Sequence, residues 1–142
     1  MADPEDIVEQ WLAELELTTA SRDLEAHMAL VSREVQVHGL RRAGVIDFEG
    51  WRKRRRNEFR NGLILCLKHK NVQLIAAEPG NIVFTVTETL KGTRGEVIVI
   101  DKQVVLKQEE NEYWRVTLEH ISNIDLKTGA LQPLQPERQT EQ

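Results

Sequence analysis

Hydrophobic residues recur along this chain with two different periods, and the change of period divides it. From Pro4 to Ser21 the apolar positions Ile7, Val8, Trp11, Leu12 and Leu15 fall at three- and four-residue spacings, which makes one stripe on an amphipathic helix. Pro4 is tolerated in a first helical turn, and Glu5 and Asp6 suit the positive end of the helix dipole. A second, short helix follows, capped by Ser21 or Asp23, with Leu24, Met28 and Val31 on its buried side. In "REVQVHG" the period falls to two, so that Val35 and Val37 point one way and Gln36 and His38 the other; this predicts a strand. Gly39 to Gly44 reads as a loop. Asp47 then caps a third helix, "FEGWRKRRRNEFRNGL", with Phe48, Trp51, Phe59 and Leu63 along one side. Arg55 is four residues beyond Trp51 and four before Phe59, so it shares that aromatic side.

From Leu63 onward the pattern is that of long strands joined by short turns at "PGN", "KGTRG" and "EENE", which makes sequence neighbours antiparallel. In "IVFTVTETL" the set Ile82, Phe84 and Val86 is apolar, so Glu88 continues the buried face. In "YWRVTLEHI" the set Trp114, Val116 and Leu118 is continued in the same way by His120. The final residues, rich in glutamine and with two prolines, carry no periodicity. The expected organisation is one domain over residues 1–125 and a flexible polar tail over 126–142. The fold class is α+β: three N-terminal helices packed on a strongly curved, mostly antiparallel sheet.

Composition narrows the function classes. A chain of 142 residues, 40% hydrophobic and 30% charged, suits one domain with a real core. The acidic N-terminus lacks the basic and apolar regions of a secretory signal, and no apolar run approaches the ~18 residues of a membrane span. The single Cys66 forms no internal disulfide and reads as a core residue; a soluble, cytoplasmic protein is expected. The net charge of −4 is unevenly spread: between Arg41 and Arg60 eight basic residues face three acids, about +5, against about −9 elsewhere. Such a stripe can hold phosphates, but it has no base-reading motif and the rest of the molecule repels a polyanion. A solvated helix face is the favoured reading and nucleic acid is not an expected partner. "KGTRG" fits a hairpin turn rather than a phosphate loop. The four histidines are scattered without metal-ligand spacing, so neither a metal nor another cofactor is expected.

The order of elements, the run "DLEAHMALVSREVQVHG" and the closing strand "YWRVTLEHI" together resemble the nuclear transport factor 2-like superfamily over about residues 5–125. The resemblance implies a cone, in which a bent sheet wraps around helices and leaves a pocket at its wide end. It also implies a range of roles, from ketosteroid isomerases, polyketide cyclases, dehydratases and subunits of ring-hydroxylating oxygenases to proteins that only bind or assemble, with many homodimers formed through the outer sheet face. In ketosteroid isomerases the first strand ends on a catalytic Asp and the first helix supplies a Tyr donor. Here His38 or Gly39 stands at that strand end, the first helix has no Tyr, and the only tyrosine, Tyr113, is expected on the last strand, so that mechanism does not carry over.

Within such a cone, if Val35 and Val37 pack outward, His38 faces the interior at the pocket mouth. It then becomes the candidate for moving protons near neutrality, or else it is merely hydrogen-bonded at a strand end. The expected ligand site is His38, Trp51, Arg55, Glu88 and His120, with a small organic molecule, anionic or carbonyl-bearing, as partner. Two readings stand side by side: a small-molecule-binding protein, an enzyme if it catalyses proton transfer, cyclisation or dehydration of its ligand, and a non-enzymatic homodimeric module with a filled pocket. An open cavity favours the first, and direct pairing of Arg55 with Glu88 the second.

Overall fold

The structure is a computed structural model that describes residues 2–127; the expected tail from residue 128 onward lies outside the described residues. Helix α1 spans Pro4–Ala20. Its N-cap Asp3 accepts a hydrogen bond from the Glu5 amide at 3.1 Å, and Val8, Trp11, Leu12 and Leu15 are buried, as the stripe predicts. Helix α2, Leu24–Met28, is capped by Asp23 through the Ala26 amide at 3.1 Å. Strand β1 covers Val31–His38. Helix α3, Phe48–Arg60, begins at Asp47, whose carboxylate accepts from the Gly50 amide at 2.9 Å. It ends before the expected Leu63, which is exposed, because Gly62 turns the chain at φ 62°.

Four long strands follow: β2 (Ile64–Glu78), β3 (Asn81–Gly92), β4 (Val97–Gln108) and β5 (Trp114–Lys127), with a 3₁₀ turn at Glu110–Glu112 before the last. Leu126 and Lys127 thus belong to β5 rather than to a tail. The sheet order is β1-β5-β4-β3-β2, in which β1 runs parallel to β5 and every other pair is antiparallel. The helices cover one face. Phe84, Val104, Leu106 and Val116 from the sheet and Val8, Trp11 and Leu15 from α1 form the centre of a single core. Trp11 donates its indole N–H to the Leu30 carbonyl at 3.2 Å, which ties α1 to the start of β1. No helix among the described residues is long and apolar enough to cross a membrane.

Strand β3 alternates without interruption, so Ile82, Phe84, Val86, Glu88 and Leu90 all face the core. Strand β5 does not. Val116 pairs with Leu106 but Leu118 with Val105, so Thr117 is an extra residue, and Ser122 is a second one between Ile121 and Asn123. After the first bulge Glu119 and Ile121 point inward and His120 outward. His120 therefore does not continue the buried face, contrary to the simple alternation. His38 is also on the outer side: Val35 and Val37 are the inward residues of β1, because the core to be covered lies on the helical side. Cys66, expected in the core, is only half-buried.

Candidate functional site

Between α3 and the far ends of β4 and β5 lies a cavity of about 250 Å³. Its walls are apolar, built from Val37, Ile46, Trp51, Leu90, Ile100 and Ile121. At its polar end it is lined by Arg55, Glu58, Glu88, Lys102 and Glu119, and Arg54 is also on its lining. Gly39 closes the end of β1 against this region: a Cβ there would lie 2.2 Å from the Ile121 carbonyl oxygen, and its φ is +100°. Only glycine fits so close an approach.

The charged groups form a connected set. The Lys102 ammonium donates to Glu88 Oε2 at 3.0 Å and to Glu119 Oε2 at 3.1 Å, and all three side chains are nearly inaccessible. His69 Nε2 donates to the same Glu88 oxygen at 2.9 Å, while His69 Nδ1 meets Glu16 Oε2 at 2.9 Å. Both ring nitrogens thus face carboxylates, so that His69 links Glu16 on α1 to Glu88 on β3. Arg55 donates from Nη1 to Glu58 Oε1 at 2.6 Å and does not pair directly with Glu88. Its Nε is buried without a hydrogen-bond partner among the described residues.

Burial alone would raise the Glu88 pKa, but Lys102, His69 and Arg55 outweigh it and hold this carboxyl well below the usual carboxylate range. For Lys102 burial opposes the charge and Glu119 and Glu88 restore it, so the pKa moves up. Arg55 behaves alike, with burial opposed first by Glu58 and then by Glu88. The cavity floor is therefore ionic at neutral pH. A ligand atom reaching it meets fixed N–H donors, Arg55 Nε and the remaining Lys102 proton, beside the carboxyl groups of Glu58, Glu88 and Glu119.

His27 supports this floor from behind. It is fully buried, accepts from the Trp51 indole N–H at 3.4 Å and donates from Nδ1 to Thr18 Oγ1 at 3.1 Å. Thr18 in turn donates to the Leu15 carbonyl at 3.2 Å. Burial, with Arg55 and Lys102 nearby, pushes its pKa down to about 3, so it stays neutral and fixes the Trp51 ring at the cavity wall.

Of the residues singled out from the sequence, the structure brings Trp51, Arg55 and Glu88 together at this cavity. It leaves His38 and His120 outside. His38 donates to Gln36 Oε1 at 3.0 Å, and the two histidines are direct neighbours in the β1–β5 pairing on the outer sheet face. Lys102, Glu119, His69 and His27 were not anticipated. Lys102 had a signal, since Ile98, Ile100, Val104 and Leu106 flank it on one face of β4. Glu119 had none, because the bulge at Thr117 hides its parity.

The architecture has solved counterparts. A nuclear transport factor 2-like protein of unknown function from Shewanella oneidensis superposes with a TM-score of 0.71 at 14% identity, over 85% of this chain and 100% of that one. A provisionally assigned scytalone dehydratase from Novosphingobium aromaticivorans gives 0.69 at 10% identity, over 96% and 95% of the two chains. LinA gives 0.68 at 9% identity and 93% of each chain. The chain has the nuclear transport factor 2-like fold. No family model and no curated protein matches its sequence. In nuclear transport factor 2-like terms the cavity sits inside the cone, between α3 and the curled sheet, and β1 closes its side by parallel pairing with β5.

Proposed function

We propose that this chain binds a small, mainly apolar organic molecule in the α3 cavity, with a neutral acceptor such as a carbonyl directed at Arg55 and Lys102. The observation that carries this reading is the conjunction of an apolar-walled cavity of about 250 Å³ with a buried ionic floor that includes the unpartnered Arg55 Nε. Ligand sites of this kind join extensive apolar lining to a few fixed polar groups. Arg55 pairs with Glu58 rather than Glu88, and the space above it is open, which weighs against a filled, purely structural interior. Trp51, Arg55, Glu88, Lys102 and Glu119 are the proposed contact residues. The test is a thermal-shift screen against a metabolite library, repeated with Arg55→Ala, Lys102→Met and, as an outer-face control, His38→Ala. Hits that shift the parent and the control but neither cavity variant support the site; hits indifferent to both cavity variants refute it.

A proton-transfer reaction on that ligand is a second reading, favoured by the continuous chain Glu16–His69–Glu88–Lys102–Glu119 that joins the cavity to the α1 surface. Lys102 and Arg55 would stabilise charge developing on a carbonyl oxygen, and Glu119 or Glu58, rather than the strongly paired Glu88, would accept the proton. Fold neighbours provisionally assigned as a scytalone dehydratase and an aromatic ring hydroxylase are compatible with this second reading. Deuterium exchange at the α-carbon of a bound ketone, lost in His69→Phe with binding retained, is the expected signature.

Homodimerisation through the outer sheet face is the third element of the proposal. Ala76, Val83, Val105 and Leu118 form one apolar row across β2, β3, β4 and β5 on that face. Sedimentation should give a dimer that Val105→Glu dissociates; a monomeric parent removes this element. A cytoplasmic setting fits the single cysteine.

A further inference from the structure

The basic stripe on α3 is not absorbed by the cavity floor, and its placement has its own meaning. Inside, the charges are already matched in place: Arg55 with Glu58, and Lys102 with Glu88 and Glu119. A ligand anion driven to that floor would add to three carboxylates. On the surface the balance is reversed. Of the eight cations between Arg41 and Arg60, Arg55 is used inside and Arg52 pairs with Glu25 at 2.9 Å. Arg41, Arg42, Lys53, Arg54, Arg56 and Arg60 are exposed and form no ion pair among the described residues. Arg54 lines the cavity itself, and Arg41 and Arg42 follow directly on Leu40, which lines it from the β1 side. The exposed Arg54 guanidinium, without an ion pair among the described residues, therefore stands at the cavity, and Arg41 and Arg42 come next in the chain after the lining residue Leu40, while the remainder of the chain is net acidic.

We infer that the ligand is an amphipathic anion: its apolar body and neutral acceptor enter the cavity, and a carboxylate, sulfonate or phosphate group stays outside on Arg54 and the Arg41–Arg42 corner. This inference rests on the cavity-binding reading and adds the chemical class and the orientation. Guanidinium groups bind such oxyanions with paired N–H donors, and a local cationic field in an acidic molecule steers an anion to one opening. Because the contact is exposed, salt screens it.

The experiment uses two fluorescent probes of similar apolar body, 1-anilinonaphthalene-8-sulfonate, which is anionic, and N-phenyl-1-naphthylamine, which is neutral. Both are titrated into the parent chain, Arg54→Glu, the double variant Arg41→Glu with Arg42→Glu, and Ile124→Trp, which narrows the mouth at an exposed lining position. Raising salt from about 20 mM to about 500 mM should weaken the sulfonate about tenfold and leave the amine within about twofold. Arg54→Glu should reproduce that loss at low salt, again for the sulfonate alone, and Ile124→Trp should weaken both. These substitutions lie at exposed positions, and each variant is compared at matched melting temperature. If both probes bind with equal salt response, or the sulfonate ignores the charge reversals, the anion assignment fails and the cavity reading survives. If neither probe binds the parent, or Ile124→Trp displaces neither, the cavity reading fails and takes this inference with it.

Discussion

Strands β3 and β5 flank the same strand, β4, and each sends one carboxylate to the same ammonium, yet they reach it by different means. In β3 the period of two is unbroken from Ile82 to Leu90, so Glu88 arrives at the floor simply by counting. In β5 the extra residue Thr117 turns the chain over. It brings in Glu119 and puts out His120, and Thr117 Oγ1 anchors the bulge by donating to the Val105 carbonyl at 3.4 Å. The regular strand turns its carboxylate inward by alternation, whereas the bulged strand does so by an extra residue. A sheet that curls over helices breaks its register in places, and one of the breaks here, at Thr117, lies beside the polar site.

The largest effect that would test this comparison is at the point where the two strands meet. Replacing Lys102 by Met leaves two buried carboxylates without their shared cation and should cost about 3–5 kcal/mol in urea unfolding, whichever strand supplied the acid. A loss under about 1 kcal/mol would mean that the three groups are not buried together as described.

The next test concerns acid. His27 is protonated in the unfolded chain below its ordinary value near 6.5 but in the folded chain only near 3, so the unfolded state binds more protons between those values. Stability is therefore complete above about pH 6.5 and declines on acidification, by about 2 kcal/mol between pH 6.5 and pH 5. Glu88, whose folded pKa is depressed, adds a further loss in the same direction below the carboxylate range. Melting curves across this range should show the decline, and His27→Gln should flatten its upper part. A flat parent profile between pH 6.5 and pH 5 contradicts the buried neutral imidazole.

The smallest effect is the most specific to the bulge. Glu119→Gln removes one charged acceptor from Lys102 and should cost about 1–2 kcal/mol, while His120→Ala, next to it in sequence, should change stability by less than about 0.5 kcal/mol. The reverse order would mean that β5 alternates without interruption and that His120 is the inward residue.

Much of this molecule was legible along the chain. The amphipathic stripe of α1, the cap at Asp47, the antiparallel strands after Leu63 and the inward face of β3 follow from local pattern, because a helix or a regular strand repeats the same geometry at each step, whereas the cap of α2 stayed open between Ser21 and Asp23 until the structure chose Asp23. The position of Arg55 among the aromatic residues of α3 follows for the same reason.

Tertiary structure alone decided the rest. Which face of β1 is inward depends on where the helices lie, so His38 could not be placed from its own neighbours. Bulges at Thr117 and Ser122 carry no compositional mark, and each reverses the parity of everything beyond it until the next. The contacts of Lys102 with Glu88 and Glu119 bring together residues from three strands, and those of His69 with Glu16 join a strand to a helix far away in sequence. Such meetings are set by the curvature of the sheet and the packing of α1 and α3 upon it. They are properties of the closed cone, and a one-dimensional pattern has no term for them.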